Sequence, residues 1–447
     1  MNKSSRISNF KYGILIFIFL FAYGIKIYGI PLSVGMTLIA LGYFFISGVS
    51  MKFFMAWRWV IYLIFIIVLY SASVEIIFGS GISSATFSFY ALRIFLDGLL
   101  PAFFLAKYAE KLNITYSDFL RVVLVICIFQ FASALVMLLV PELKYQYFIN
   151  FMNFKDEDII MSSEILPFRG FGIGNTYLAW FPFLLSLILV VVWFSNFLRS
   201  KILFLVFTIM IISLVALNAR IAFLPIGIAL AFYFVFAPFV TKIRGIFIFC
   251  SIIFILFILV NFFGINGDFG PIIDHLIIWI WNEGFSSFYS DSGSPTFNDL
   301  SNFSILQSFN FQDWVFGRGA LITPEISSIL YTDVGYLQIL YAGGLILSFL
   351  LYLFFGLIFI CLIKNINILY EKKVIPKLGV YISYIFIISF FLGHLKLRIF
   401  EMNEATKFLF LLTTFVSVKN VGFLQERFNP AAAKGPVELS DLRKVTS

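Results

Sequence analysis

The residues most able to do chemistry are basic ones in unexpected places. Arg93, Arg169, Arg220, Arg318, Lys396, Arg398 and Lys407 lie within or near the ends of apolar runs, or in loops between them. Arginine presents a planar fork that grips phosphate with two parallel hydrogen bonds and stays charged at any relevant pH. A set of such residues at one membrane face points to an anionic ligand; the plain alternative is loop charge that snorkels to water or pairs with an acid. Arg169 (PFRGFG) and Arg318 (FGRG) have glycine neighbours that let backbone approach a ligand. Arg220, in LNARIAFLP, sits in a connection only a few residues long, beside Asn218. A cation held there is expensive unless it faces a polar cavity or a partner. His275, next to Asp274, has the chemistry of a general base, although an exposed loop histidine is the commoner case. Arg93 and Asp97 are four apart on one helix face, as a neutralising ion pair would be. The HLKLRIFEMNE stretch from His394 crowds Lys396, Arg398, Glu401 and Glu404 together, which mutual ion pairing explains.

The elements that must position these residues follow from composition. Of the 447 residues, 61% are hydrophobic and 12% charged, a balance that no soluble domain of this size keeps in solution. Continuous apolar runs of about 17–25 residues recur, each able to cross about 30 Å of hydrocarbon as a helix. The fold class expected is therefore all-α: a polytopic membrane protein of about 12 spans. They fall near 12–29, 32–49, 58–75, 88–106, 118–140, 172–194, 202–218, 221–239, 245–263, 334–362, 378–395 and 404–418. Lys3, Arg6, Lys11, Lys52, Lys107, Lys111, Arg199, Lys201, Lys242, Arg244, Lys364, Lys372, Lys373, Lys377 and Lys419 fall in one alternating set of loops. The positive-inside rule puts that set, and both termini, in the cytoplasm. The organisation expected is residues 1–263 with nine spans and a small periplasmic loop at 141–171, a large periplasmic loop at 264–333, three spans in 334–428, and a polar tail at 429–447. Within the large loop, PIIDHLIIWIW (Pro271 to Trp281) reads as an interfacial amphipathic helix, followed by a Ser/Asp/Gly-rich turn region.

Other classes fit poorly. Cys127, Cys250 and Cys361 lie in apolar runs with no disulfide or metal-type spacing, and the two histidines form no ligand motif, so neither a metal nor another cofactor is expected. The net charge of +8 resides largely in loops where topology requires it, so nucleic acid is not an expected partner; membrane lipids are. The first apolar run lacks a small-residue cleavage site and reads as a retained helix. The tail, NPAAAKGPVELSDLRKVTS, changes abruptly to a polar composition.

The most specific stretch is YTDVGYLQILYAGGLILSFLLYLFF (Tyr331 to Phe355), with Gly343–Gly344 inside its apolar run and FGRG (Phe316 to Gly319) shortly before it. This pair resembles the O-antigen polymerase and ligase superfamily, whose members carry a glycine-flanked element, a variable gap, and a YLQ-like opening to a span with small residues after it. The resemblance is motif-level over about forty residues and extends in hydropathy pattern over nearly the whole chain. It implies a GT-C-like membrane glycosyltransferase of the bacterial inner membrane with its active face periplasmic. Its substrates would be undecaprenyl-diphosphate-linked glycans, and a chain-length-regulating membrane protein is an admissible partner. The ligase branch usually has a His-Asn pair where this chain has Thr332-Asp333-Val334, so the repeat-unit polymerase branch is favoured.

For that activity Arg220 and Arg318 are assigned to the leaving diphosphate, with Arg169 and Arg398 as second choices. Asp333 is the first candidate base and His275 the second. Tyr331 and Tyr336 are candidates for sugar contact, although interfacial tyrosines commonly serve as anchors. The competing expectation is a flippase for the same lipid-linked oligosaccharide, but that class usually shows two related halves and short loops.

Overall fold

The computed structural model describes residues 26–27, 30–47, 57–78, 87–112, 114–115, scattered positions between 118 and 146, 180–195, 200–218, 220–236, 243, 304–320, 335–375, 377–394 and 404–428. Among them the regular structure is helical apart from one short ladder, Lys26–Ile27 antiparallel to Ile30–Pro31. Its first strand, Lys26–Ile27, falls at the end of the expected first span, and its second, Ile30–Pro31, just beyond it.

The helices are α1 (Leu32–Ser47), α2 (Arg58–Phe78), α3 (Phe87–Lys111), α4 (Trp180–Ser195), α5 (Lys201–Asn218) and α6 (Leu224–Phe236). Two short ones follow, α7 (Ser304–Gln307) and α8 (Phe311–Phe316), and then α9 (Gly335–Glu371), α10 (Lys377–His394) and α11 (Glu404–Phe428). α2, α3 and α9 are long and apolar enough to cross a membrane, and α1, α4, α5, α6, α10 and α11 hold shorter apolar stretches. The 21 residues of α2 span about 31 Å at 1.5 Å per residue, close to the thickness of a hydrocarbon core. The spans expected at 12–29, apart from its end, and at 245–263 lie outside the described residues.

Cross-helix contacts give the directions. Phe355 packs on Phe410 with ring centroids 6.1 Å apart, and ten residues further on Asn365 donates to the Ser417 hydroxyl at 2.6 Å, so α9 and α11 run parallel. α10 runs against α9, since Phe390 meets Phe359 while His394 meets Tyr352. α2 and α3 form an antiparallel pair, with Phe65 against Phe95 and the Glu75 carboxylate accepting from both the N–H and the hydroxyl of Ser88. The core is layered around two helices that show no described face to the surroundings. Every residue from Ala405 to Val418 is buried, as is every residue from Phe183 to Val192. α1 and α2 lie outside them, with Leu38, Phe45, Ile46, Trp59, Leu69 and Ile76 exposed as lipid would allow.

α3 is not a uniform α-helix. Ile94–Leu99 is a π turn, in which the Leu100 N–H reaches back five residues to the Phe95 carbonyl. The next donor in that pattern would be residue 101, which is a proline without an N–H. The Leu96 carbonyl is thereby released, and Thr37 of α1 donates to it at 2.6 Å. In a membrane interior an unsatisfied carbonyl has no water to turn to, so this hydrogen bond ties α1 to the bulge, beside the Tyr43–Phe104 ring contact. Thr37→Val, of nearly equal volume, is expected to lower stability by about 1–2 kcal/mol. In thermal melts of the detergent-solubilised protein, adding Pro101→Ala should recover part of that loss by restoring the missing donor. Strictly additive losses would contradict this account.

Candidate functional site

The two motifs that stand apart in the sequence meet in space. Asn310 caps α8: its side chain accepts from the Asp313 N–H at 2.8 Å, and the Asp313 carboxylate accepts from the Asn310 N–H at 3.2 Å. Gly317, at φ 74°, ends α8 in a conformation that favours glycine, and Gly319, at φ 73°, turns the chain again. Between them, the Arg318 N–H donates to the Tyr341 carbonyl at 2.7 Å and the Gly319 N–H donates to the Ala342 carbonyl at 2.9 Å.

Those carbonyls are available because α9 is broken. Gly343 (φ −143°) and Gly344 (φ 64°) leave the helical region, so the carbonyls before them lose the donors that a continuous helix would supply. The FGRG loop replaces two, the Tyr70 hydroxyl of α2 donates to the Gly343 carbonyl at 2.9 Å, and the Ser348 hydroxyl donates to the Gly344 carbonyl at 2.9 Å. Gly317 and Gly344 are required by contact as well as by torsion. A Cβ on Gly317 would fall 2.5 Å from the backbone nitrogens of Gly343 and Gly344, and one on Gly344 would overlap the Val315 carbonyl. Phe78 of α2 stacks beside Phe316, closing the same corner. The expected span over 334–362 is therefore a short segment, Gly335 to Ala342, followed after the break by a long helix that continues to Glu371.

Arg318 is built into this corner. Its Nη2 donates to Asp313 Oδ2 at 2.9 Å and to the Ser308 carbonyl at 2.6 Å. Its guanidinium carbon lies 5.3 Å from the Phe309 ring centroid and 5.4 Å from that of Tyr341. Its side chain retains 29% exposure. Burial works to raise the Asp313 carboxyl, but the hydrogen bonds from Arg318 and the Asn310 N–H, with the Arg318 charge, outweigh it and hold it below its ordinary value. Arg318 is raised in turn, chiefly by its hydrogen bond with Asp313. Tyr336, in the first turn of α9, is half-buried and packs on the Leu337–Tyr341 cluster. Arg220 opens the 3₁₀ turn Arg220–Phe223, which joins α5 to α6 within the few residues expected. Arg169, His275, Tyr331, Asp333 and Arg398 lie outside the described residues.

Arg93 and Asp97 form the expected ion pair at 2.9 Å, with side-chain exposures of 28% and 7%. Deeper burial falls on two residues whose sequence context suggested ordinary loop pairing. His394, at the end of α10, is 2% exposed, and Lys407, in the first turn of α11, is 4% exposed. Nothing in the local sequence separates Lys407 from a snorkelling lysine; what distinguishes it is that its helix is enclosed. No group of three His, Cys, Asp or Glu side chains suited to a metal occurs among the described residues.

No family profile, curated protein or solved structure matches this chain.

Gly344→Ala combines left-handed strain with overlap on the Val315 carbonyl, and a loss of at least about 2 kcal/mol is expected. It should appear as a lower melting temperature and reduced yield, whereas Gly356→Ala, with nothing within 4 Å of the added methyl, should be nearly silent. The Asp313 contribution has a definite sign, because a lowered folded pKa stabilises above the unfolded value and is lost as pH falls through the folded one. Amide-exchange protection of residues 311–319 should therefore hold at neutral pH and fail below the ordinary carboxylate value of 3.8. Asp313→Asn should show weak protection throughout, without that step.

Proposed function

We propose that this chain is a membrane-embedded glycosyltransferase that polymerises lipid-diphosphate-linked oligosaccharide repeat units at the periplasmic face of the inner membrane. The observation that carries the reading is the docking of the glycine-flanked Arg318 element onto the glycine break of α9. These are the two motif halves on which the likeness to O-antigen polymerases rests, and their contact gives both sets of glycines a shared physical reason. The parallel run of α9 and α11, with α10 against them, supports the alternation that places this corner and the loop at 264–333 on the same side.

In the proposed reaction a sugar hydroxyl of one repeat unit attacks the anomeric carbon of the lipid-linked chain. The new C–O bond forms as the bond from that carbon to the diphosphate oxygen breaks. The hydroxyl proton passes to a base, Asp333 or His275, and the leaving group departs as undecaprenyl diphosphate. Arg220 takes the developing negative charge. Arg169 and Arg398 are further candidates for the same anion, and Tyr331 and Tyr336 for the sugars. Arg318, held by Asp313 and the Ser308 carbonyl, acts in this reading mainly by fixing the wall of the site.

A deletion strain decides the class: loss of a polymerase leaves single-repeat material on the lipopolysaccharide core, whereas loss of a flippase leaves none. In the complemented strain, Arg220→Ala at normal protein levels should reduce long polymer by about a hundredfold or more. Arg318→Ala should lower both polymer and melting temperature. A full-length ladder from Arg220→Ala would end its assignment to the diphosphate.

A further inference from the structure

The corner at the α9 break meets the surroundings through α8, and the side it shows them is apolar. Phe311 is 84% exposed. Among the described residues, a large apolar side chain is exposed to that degree elsewhere only on α1 and α2, at Phe45, Ile46 and Ile76. A single exposed phenylalanine needs no explanation, but this one belongs to a set. Phe316 is exposed at the other end of α8, and its ring stacks on Phe78 of α2 with centroids 6.0 Å apart. Ile76 and Ile77, just before Phe78, are exposed as well.

α2 gives the depth of this surface. At its start the Arg58 guanidinium lies 5.3 Å from the ring centroid of Trp59, which is exposed, an arrangement suited to the headgroup level. From there 21 residues carry the helix about 31 Å, the thickness of the hydrocarbon, to Phe78. Phe316, stacked on Phe78, therefore lies at the opposite boundary. The 6 residues of α8 measure about 9 Å, so the Phe311 backbone stands within that distance of it.

Charge points the same way. From Ser304 to Ala320 the only ionisable side chains are Asp313 and Arg318, and they pair with each other at 2.9 Å. The segment brings no unmatched charge to a place where one would be costly. Trp314, half-buried against Phe309, adds an amphipathic ring of the kind that settles at headgroup level.

We propose that α8 is a lipid-anchored element, in which Phe311 and Phe316 continue the lipid-facing surface of α2 and enter the boundary between headgroups and acyl chains of the phospholipid bilayer. The loop after α8 presents the Arg318 and Gly319 N–H groups to α9, so lipid holds one side of this element and the helix break holds the other. The proposal rests on the chain spanning a membrane and not on the polymerase reading, and the deletion-strain ladder has no bearing on it.

The test uses the full chain in phosphatidylcholine nanodiscs, with Cys127, Cys250 and Cys361 replaced by serine and a nitroxide attached at Phe311→Cys. Leu69→Cys, on the exposed face of α2, is the lipid reference, and Glu371→Cys, at the end of α9, is the water reference. The ratio of oxygen access to access by a water-soluble nickel chelate should be several-fold higher at 311 than at 371, approaching that at 69. A ratio equal to that at 371 would place Phe311 in water, and low access to both reagents would mean a protein partner; either would overturn the proposal. The anchoring is read separately, on chains otherwise unchanged, as amide-exchange protection of Arg318 and Gly319. Phe311→Ser should lower it by about tenfold or more and Phe311→Trp should retain it. So exposed a ring has little protein packing to lose, and full protection in Phe311→Ser would overturn the anchoring.

Discussion

Backbone groups inside a membrane have no water to fall back on, and the break in α9 is where this requirement acts most strongly. Interrupting a helix at Gly343–Gly344 frees carbonyls that must be served from elsewhere. They are served by the Arg318 and Gly319 N–H groups, the Tyr70 hydroxyl and Ser348. Three distant parts of the chain are therefore joined by one local need. The α8 capping box and the Asp313–Arg318 pair follow from it, since the loop must arrive in a fixed shape to present two consecutive N–H groups.

The π turn of α3 solves the same problem in another way. Pro101 removes a donor, the Leu96 carbonyl is released, and Thr37 replaces the missing group. Both irregularities adjoin polar residues: Asp97 lies inside the π turn, and Arg318 lies against the glycine break. Irregular backbone at membrane depth is tolerated where it is buried in protein or lines a cavity, and each of these sites is closed by neighbouring helices.

Much of the architecture was legible because a spanning helix declares itself by length and apolarity. The runs near 58–75, 202–218 and 378–395 correspond to α2, α5 and α10 within a few residues. The Arg93–Asp97 pair was legible from its spacing of four. The burial of Lys407 and His394 was not, and the reason is physical. In water a buried face is marked by apolar residues against a polar remainder, but lipid and protein interior are equally apolar. A helix such as α11 therefore carries no stripe to say that it is enclosed. The break in α9 was hidden for a related reason. A glycine pair in an apolar run reads equally as a close-packing surface, and only the arrival of Gly317 and Gly319 explains it. Pro101 could have signalled irregularity in α3; its partner Thr37, fifty-nine positions before the carbonyl it serves, could not.

The enclosure of α11 also has a consequence for assembly. Chains enter the membrane from the N-terminus, so α11, one of the two enclosed helices, is the last described one to arrive. Its contact with Ala102 spans 312 positions, and the Tyr70–Gly343 contact spans 273. Until α11 has been made, α3 lacks the helix whose Thr414 bonds its Ala102 carbonyl. The early helices must wait in a loose, lipid-filled arrangement that closes only when α11 displaces the lipid. Termination of translation before α11 would thus leave the earlier helices without an enclosed partner and open for quality-control proteases to recognise.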